Sequence, residues 1–174
     1  MNKGWIRMTT NGKTIIEGFK IRFAEEQDVS LILGFIRELA EYENMLDDVV
    51  ATEELLRESL FDRKGAEVII GEYEGTPACF ALFFHNFSTF LGRPGIYLED
   101  LYVKPVFRGK GIGKVMLSFL AKLAIQRKCG RLEWSCLDWN EPSISFYRKL
   151  GAVPMDEWTM YRVCGESLEK LANI

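Results

Sequence analysis

From Phe19 onward the spacing of apolar positions changes several times, and each change predicts an element. Phe19, Ile21 and Phe23 alternate with Lys20 and Arg22, which predicts a first strand. Asp28 then offers an N-cap for a helix whose Val29, Ile32, Ile36, Leu39 and Ala40 recur at helical spacing. Thr52 predicts the cap of a second helix, with Glu53 and Glu54 in its first turn favouring the dipole. Residues 67–73 and 78–87 read as strands joined at Glu74-Gly75-Thr76-Pro77, a hairpin signal. A loop marked by Gly92, Pro94 and Gly95 leads into a strand over 96–103. A third helix carries Ile112, Val115, Met116, Phe119, Leu120 and Leu123 on one stripe and stops near Gly130. A strand over 131–137, a helix over 140–150 ending at Gly151, a last strand over 158–163 and a short terminal helix complete the prediction.

The order βααβββαβαβ, with no repeat and no long linker, predicts a mixed α/β (α+β) architecture. Its front is largely antiparallel and its back half is a β-α-β unit. Residues 1–18 read as a polar extension, with Asn11-Gly12 and Gly18 as turn signals, and 19–174 as one domain. The first sixteen residues hold no signal-peptide run, and no segment approaches the ~20 apolar residues of a membrane span. A net charge of −3 argues against a nucleic-acid surface, which would show a basic face. The four cysteines are scattered without a C-x-x-C pair, which points to a reducing, cytoplasmic compartment. His85 is the single histidine, and no ligand spacing predicts a metal site.

The chemistry concentrates where an apolar strand ending at Val103 meets Arg108-Gly109-Lys110-Gly111-Ile112-Gly113-Lys114 and a helix. A helix N-terminus presents unpaired N–H groups and the positive end of the macrodipole, so it suits a phosphate. The glycines let a backbone approach the anion closely, and Arg108, Lys110 and Lys114 add positive charge. The spacing is G-x-G-x-G, not the G-x-G-x-x-G of dinucleotide folds, and Lys110 is followed by Gly111 where a nucleotide P-loop needs Ser or Thr. Arg108-x-x-Gly111-x-Gly113 after that strand resembles the pyrophosphate motif of the GNAT N-acetyltransferase superfamily.

A second motif is Asn140-Glu141-Pro142-Ser143-Ile144-Ser145-Phe146-Tyr147, followed by Gly151-Ala152. Helix punctuation alone accounts for Asn140, Pro142 and Gly151. The run also resembles the pantetheine-side helix of GNAT enzymes, in particular the diamine (spermidine/spermine) acetyltransferases. The resemblance covers about 19–164. It implies the GNAT acyl-CoA N-acyltransferase fold, acetyl-CoA as co-substrate, and a small-molecule amine as acceptor. It also implies a homodimer, the default symmetry for such an assembly.

The resemblance distributes roles. Gly109 to Lys114 would cradle the pyrophosphate with Arg108 beside them. Leu101, Tyr102 and Val103 would offer backbone groups to the pantetheine arm and the thioester carbonyl, with Asn140 and Ser143 contributing from the second motif. Tyr147 would protonate the departing thiolate. Glu99 interrupts an apolar strand, so it is either the base that deprotonates the amine or an ion-pairing strand-edge glutamate. A base is useful because an amine of pKa ~10.4 is free in only about one molecule in a thousand at neutral pH. Asp100 points to the opposite face by strand alternation and reads as structural. Tyr42, Glu43, Glu133 and Glu157, together with Glu99, are candidate substrate contacts for a diamine or polyamine. Thialysine, another small amine, a lysine peptide, or acyl-CoA binding without turnover are the alternatives.

Overall fold

The structure, a computed structural model, describes residues 9–10, 13–14 and 16–174. Most of the expected extension lies outside the described residues. Within it, Thr9–Thr10 (β1) pairs antiparallel with Lys13–Thr14 (β2). The chain divides after Ser135 into two compact units.

The first unit is built on a five-stranded sheet in the order β3-β4-β5-β6-β7. Its strands are Phe19–Phe23 (β3), Glu67–Tyr73 (β4), Thr76–Ser88 (β5), Arg93–Val103 (β6) and Leu132–Trp134 (β7). The first four pair antiparallel, and β7 joins β6 in parallel. The β4–β5 hairpin turns on Glu74 and Gly75, both at positive φ, as its sequence predicts. Three helices cover the sheet: Val29–Tyr42 (α1), Glu53–Arg57 (α2) and Ile112–Gln126 (α3). Ile32, Phe35, Leu60, Val68, Ile70, Phe80 and Tyr102 form one core cluster, with the Phe35 and Phe80 rings stacked at 5.2 Å. Buried Met116 and Leu120 of α3 and a Phe23–Phe119 edge contact at 6.1 Å hold another part.

Local chemistry shifts several boundaries. Asp28 precedes α1 but does not cap it. Its carboxylate instead accepts both arms of Arg22, at 2.5 and 2.7 Å, and the Glu25 N–H at 2.8 Å. Thr52 does cap α2, accepting the Leu55 N–H at 3.2 Å, but α2 runs into a π-turn over Glu58–Asp62. Helix α3 stops before Gly130 because Lys128 takes the left-handed position, with Cys129 N–H on Ala124 O and Lys128 N–H on Ile125 O.

The second unit, residues 136–174, holds Glu141–Lys149 (α4) and Glu166–Ala172 (α5). The strand expected over 158–163 is a correction: the segment is not a strand. Every residue of it is exposed, Trp158 at 72% and Tyr161 at 91%. Its alternation puts Trp158 and Met160 on one side and Tyr161 and Val163 on the other, so neither side defines a core face. No ladder partner supports it among the described residues. The strand expected over 131–137 is likewise shorter, and Cys136 lies past its end.

Candidate active site

Strand β6 carries the geometry that the linear pattern hides. Leu98 pairs with Phe83 and Asp100 pairs with Leu82, so Glu99 is an extra residue in a β-bulge. Leu82 and Phe83 face opposite sides of the sheet, and so therefore do Asp100 and Leu98. Leu98 goes into the core, while Asp100 joins Tyr102 on the side covered by α1. The β6–β7 ladder also ends here, at Leu98 with Trp134. Beyond the bulge, Asp100–Val103 pair only with β5 among the described residues.

Three carboxylates converge around the bulge. Glu99 is exposed, while Asp100 and Glu43 are half-buried. Burial pushes Asp100 up to about 6, and the charges of Glu99 and Glu43 add to the rise. Burial also raises Glu43. The electrostatic neighbours of Asp100 are carboxylates, which groups it with Glu99 and Glu43. No single-strand periodicity could signal this, because it depends on the register of β5 and on the end of α1.

That end of α1 is held by its own backbone. Asn44 sits at φ 60°, Met45 N–H bonds Ala40 O at 2.8 Å, and Asn44 N–H bonds Glu41 O at 3.1 Å. This is a Schellman closure with Asn in the glycine position, and it fixes Tyr42 and Glu43 at the helix exit.

After Val103 the chain makes one tight turn over Pro105–Phe107 and enters the glycine loop. Gly109 and Gly111 lie at φ 78° and 81°, where a side chain would strain the backbone. A Cβ on Gly109 would meet nothing within 4 Å, and one on Gly111 only Ile16 Cδ1 at 3.9 Å. Among the described residues the constraint at these glycines is therefore conformational, not steric. Gly111 is the N-cap of α3 and no side chain caps it, so the amides of Ile112, Gly113 and Lys114 begin the helix with their positive end outward. These residues fit a pyrophosphate. Lys110 lies over the Tyr73 ring at 5.3 Å. Lys114 is exposed in the first turn. Arg108 turns back: its Nε donates to Val103 O at 2.9 Å and its Cζ lies 4.7 Å from the Tyr42 ring centre.

Glu133 stands apart from the three carboxylates. It accepts Asn86 Nδ2 at 2.8 Å and lies 2.7 Å from Arg131 Nε, so its charge is already matched. His85 lies 3.5 Å from Arg127, which is itself held by both oxygens of Glu67. In the second unit, buried Asn140 caps α4, its Oδ1 accepting the Ser143 N–H at 3.3 Å. Gly151 at φ 87° closes the other end, with Ala152 N–H on Tyr147 O at 3.2 Å. Tyr147 is half-buried beside Phe146, ring centres 5.4 Å apart, and Glu157 is exposed.

The architecture is shared with a solved integron cassette protein from V. cholerae, at TM-score 0.76 and 29% identity over 90% of this chain and 99% of that one. Residues 33–152 match the model of the acetyltransferase (GNAT) family, and the chain belongs to that family of acyltransferases. The match runs across Ser135, from the first unit into the second. Thialysine N-epsilon-acetyltransferase of Bos taurus is 39% identical over 88% of this chain and 96% of its own length. Spermidine/spermine N(1)-acetyltransferase-like protein 1 of Homo sapiens is 33% identical over 92% of this chain and 24% of its own length. Among the described residues no helix is long and apolar enough to cross a membrane.

Proposed function

We propose that this protein transfers an acetyl group from acetyl-CoA to a primary amine of a small molecule that carries a second ammonium group. The observation that carries the reading is the presence, within one unit, of a glycine-framed helix N-terminus and of a trio of carboxylates, Glu99 and Asp100 on the strand leading to it and Glu43 at the end of α1. Amides from Gly109 to Lys114 hold the pyrophosphate. Backbone groups of Leu101, Tyr102 and Val103 line the pantetheine arm, where an N–H polarises the thioester carbonyl as charge develops on its oxygen.

Glu99, with Asp100 beside it, takes the proton from the substrate ammonium directly or through water. The amine nitrogen then bonds to the thioester carbon as the carbon–sulfur bond breaks, and the new amide nitrogen releases its remaining extra proton to solvent. Tyr147 gives its phenolic proton to the departing thiolate and is recharged from solvent. Glu43 and the remaining charge of the trio receive the second ammonium, with Tyr42 as the apolar wall. Diamines and polyamines fit this charge pattern. The cattle relative's name favours a lysine-like amino acid such as thialysine, which also carries a second ammonium. Cys79, Cys129, Cys136 and Cys164 form no disulfide with one another, which fits a reducing cytoplasm, and a homodimer completes the reading.

A thiol-release assay with acetyl-CoA tests the reading across diamines, polyamines, thialysine, ornithine and monoamines of matched length. Turnover confined to acceptors with two ammonium groups is expected. Preference for monoamines would remove the two-charge reading, and no turnover on any amine would remove the function.

A further inference from the structure

We infer that Tyr97 and Ser135 are positioning residues for the pantetheine arm, because the bond between their hydroxyls pins the point at which β7 parts from β6. The inference rests on the functional reading above, which lays that arm along Leu101–Val103. The two strands pair in parallel for three steps, Ile96 with Leu132, Tyr97 with Glu133 and Leu98 with Trp134. A fourth step would set Ser135 beside Glu99, but Glu99 is the extra residue of the bulge and the ladder stops. From there Asp100–Val103 pair with β5 on one edge and have no ladder partner on the other among the described residues. Such an edge suits an extended arm that carries amides of its own.

Side chains take over where the backbone ladder gives out. By strand alternation Tyr97, Glu133 and Ser135 share one face of the sheet. The Tyr97 and Ser135 hydroxyl oxygens lie 2.7 Å apart, in a hydrogen bond that either can donate. Ser135 is the diagonal neighbour of Tyr97, within reach of an aromatic side chain. The Tyr97 end of the link is held firmly. Its ring lies against Phe84, ring centres 5.3 Å apart. Its cross-strand neighbour Glu133 is fixed by Asn86 Nδ2 at 2.8 Å and Arg131 Nε at 2.7 Å. Contacts from β5, β6 and β7 thus meet immediately before the strands part. Loss of the link lets the chain after Trp134 drift relative to the edge of β6, which alters the room for the arm and leaves the Gly109–Lys114 cradle as it is.

The test titrates acetyl-CoA and ADP into wild type, Tyr97→Phe, Ser135→Ala, Ser135→Thr and the Tyr97→Phe, Ser135→Ala double variant. ADP carries a pyrophosphate without the arm, so it reads the α3 end alone. Tyr97→Phe and Ser135→Ala should each raise acetyl-CoA Kd about 2-fold to 10-fold, the range of one net hydrogen bond, with ADP Kd unchanged. The double variant should be no worse than either single one, because both delete the same link. Ser135→Thr keeps a hydroxyl and should bind as wild type does. Amine KM at saturating acetyl-CoA should hold throughout.

Unchanged acetyl-CoA binding in the single variants would overturn the proposal. Equal losses for acetyl-CoA and ADP would do the same, as would multiplicative effects of the two substitutions. Wild type that does not bind acetyl-CoA would remove the functional reading and the proposal with it, whereas wild-type binding with unaltered variants removes the proposal alone.

Discussion

The two sequence motifs that resemble coenzyme-binding segments each open a helix, α3 and α4, and the two N-termini are built in opposite ways. Helix α3 begins at Gly111, at φ 81°, a cap residue with no side chain of its own to place on the first amides. Helix α4 begins at Asn140, whose side chain takes the Ser143 N–H for itself. The first end has no cap side chain to compete for its amides, whereas the second commits the Ser143 N–H to its own cap before a ligand arrives. A cap that stabilises a helix by itself competes with an anion for the same amides. The pyrophosphate therefore belongs on α3, and the chemical contribution of α4 is the Tyr147 hydroxyl more than its N-terminus.

The largest effect that separates the two helices falls on that hydroxyl. Tyr147→Phe keeps the ring beside Phe146 and removes only the proton donor, so kcat should fall by about 100-fold or more. Acetyl-CoA affinity and melting temperature should hardly change. Normal turnover by the Phe variant would reduce α4 to packing, and the leaving group would take its proton elsewhere.

A smaller effect probes the strand that feeds α3. Asp100 titrates at about 6 in the folded protein, against about 3.9 for an ordinary aspartate. In that window the folded protein holds a proton that the unfolded chain has released, so stability falls as pH rises through it. Asp100→Asn should remove this slope and raise the melting temperature above about pH 6, by roughly 5 °C. It should also flatten the acid limb of kcat/KM for the amine. A limb unchanged in that variant would assign the titration to another group.

The smallest effect is at the α4 cap. Asn140→Ala should cost about 1 kcal/mol of stability in chemical denaturation, the usual loss for a cap, with acetyl-CoA Kd close to wild type. A large rise in Kd would mean that the Asn140 cap also serves the coenzyme and would weaken the contrast between the helices.

The parts of this site legible from sequence are those written within one element. The α1 stripe, the glycines before α3 and the Asn140–Gly151 frame of α4 each need only local spacing, and each stands where expected. The bulge at Glu99 was not legible, because it is a property of two strands: alternation along β6 alone puts Asp100 opposite Glu99 as a structural residue. The approach of Glu43 to Asp100 was legible only as a loose pool of acids that included Glu133. The pairing of Glu133 with Arg131 and Asn86 depends on β5 meeting β7 and the residue just before it. The Arg108–Tyr42 stack joins a loop to a helix end far away in sequence. The alternation at 158–163 suggested a strand, but alternation supplies no partner to pair with.

The most direct test of the central claim, that α3 and not α4 seats the pyrophosphate, is calorimetric titration of acetyl-CoA into wild type, Gly111→Val and Asn140→Ala. A β-branched side chain at φ 81° strains or redirects the cradle by roughly 1–3 kcal/mol, so Kd for Gly111→Val should rise about 10-fold to 100-fold. Asn140→Ala should bind nearly as wild type does. Equal weakening in both variants, or unchanged binding by Gly111→Val, would contradict the assignment.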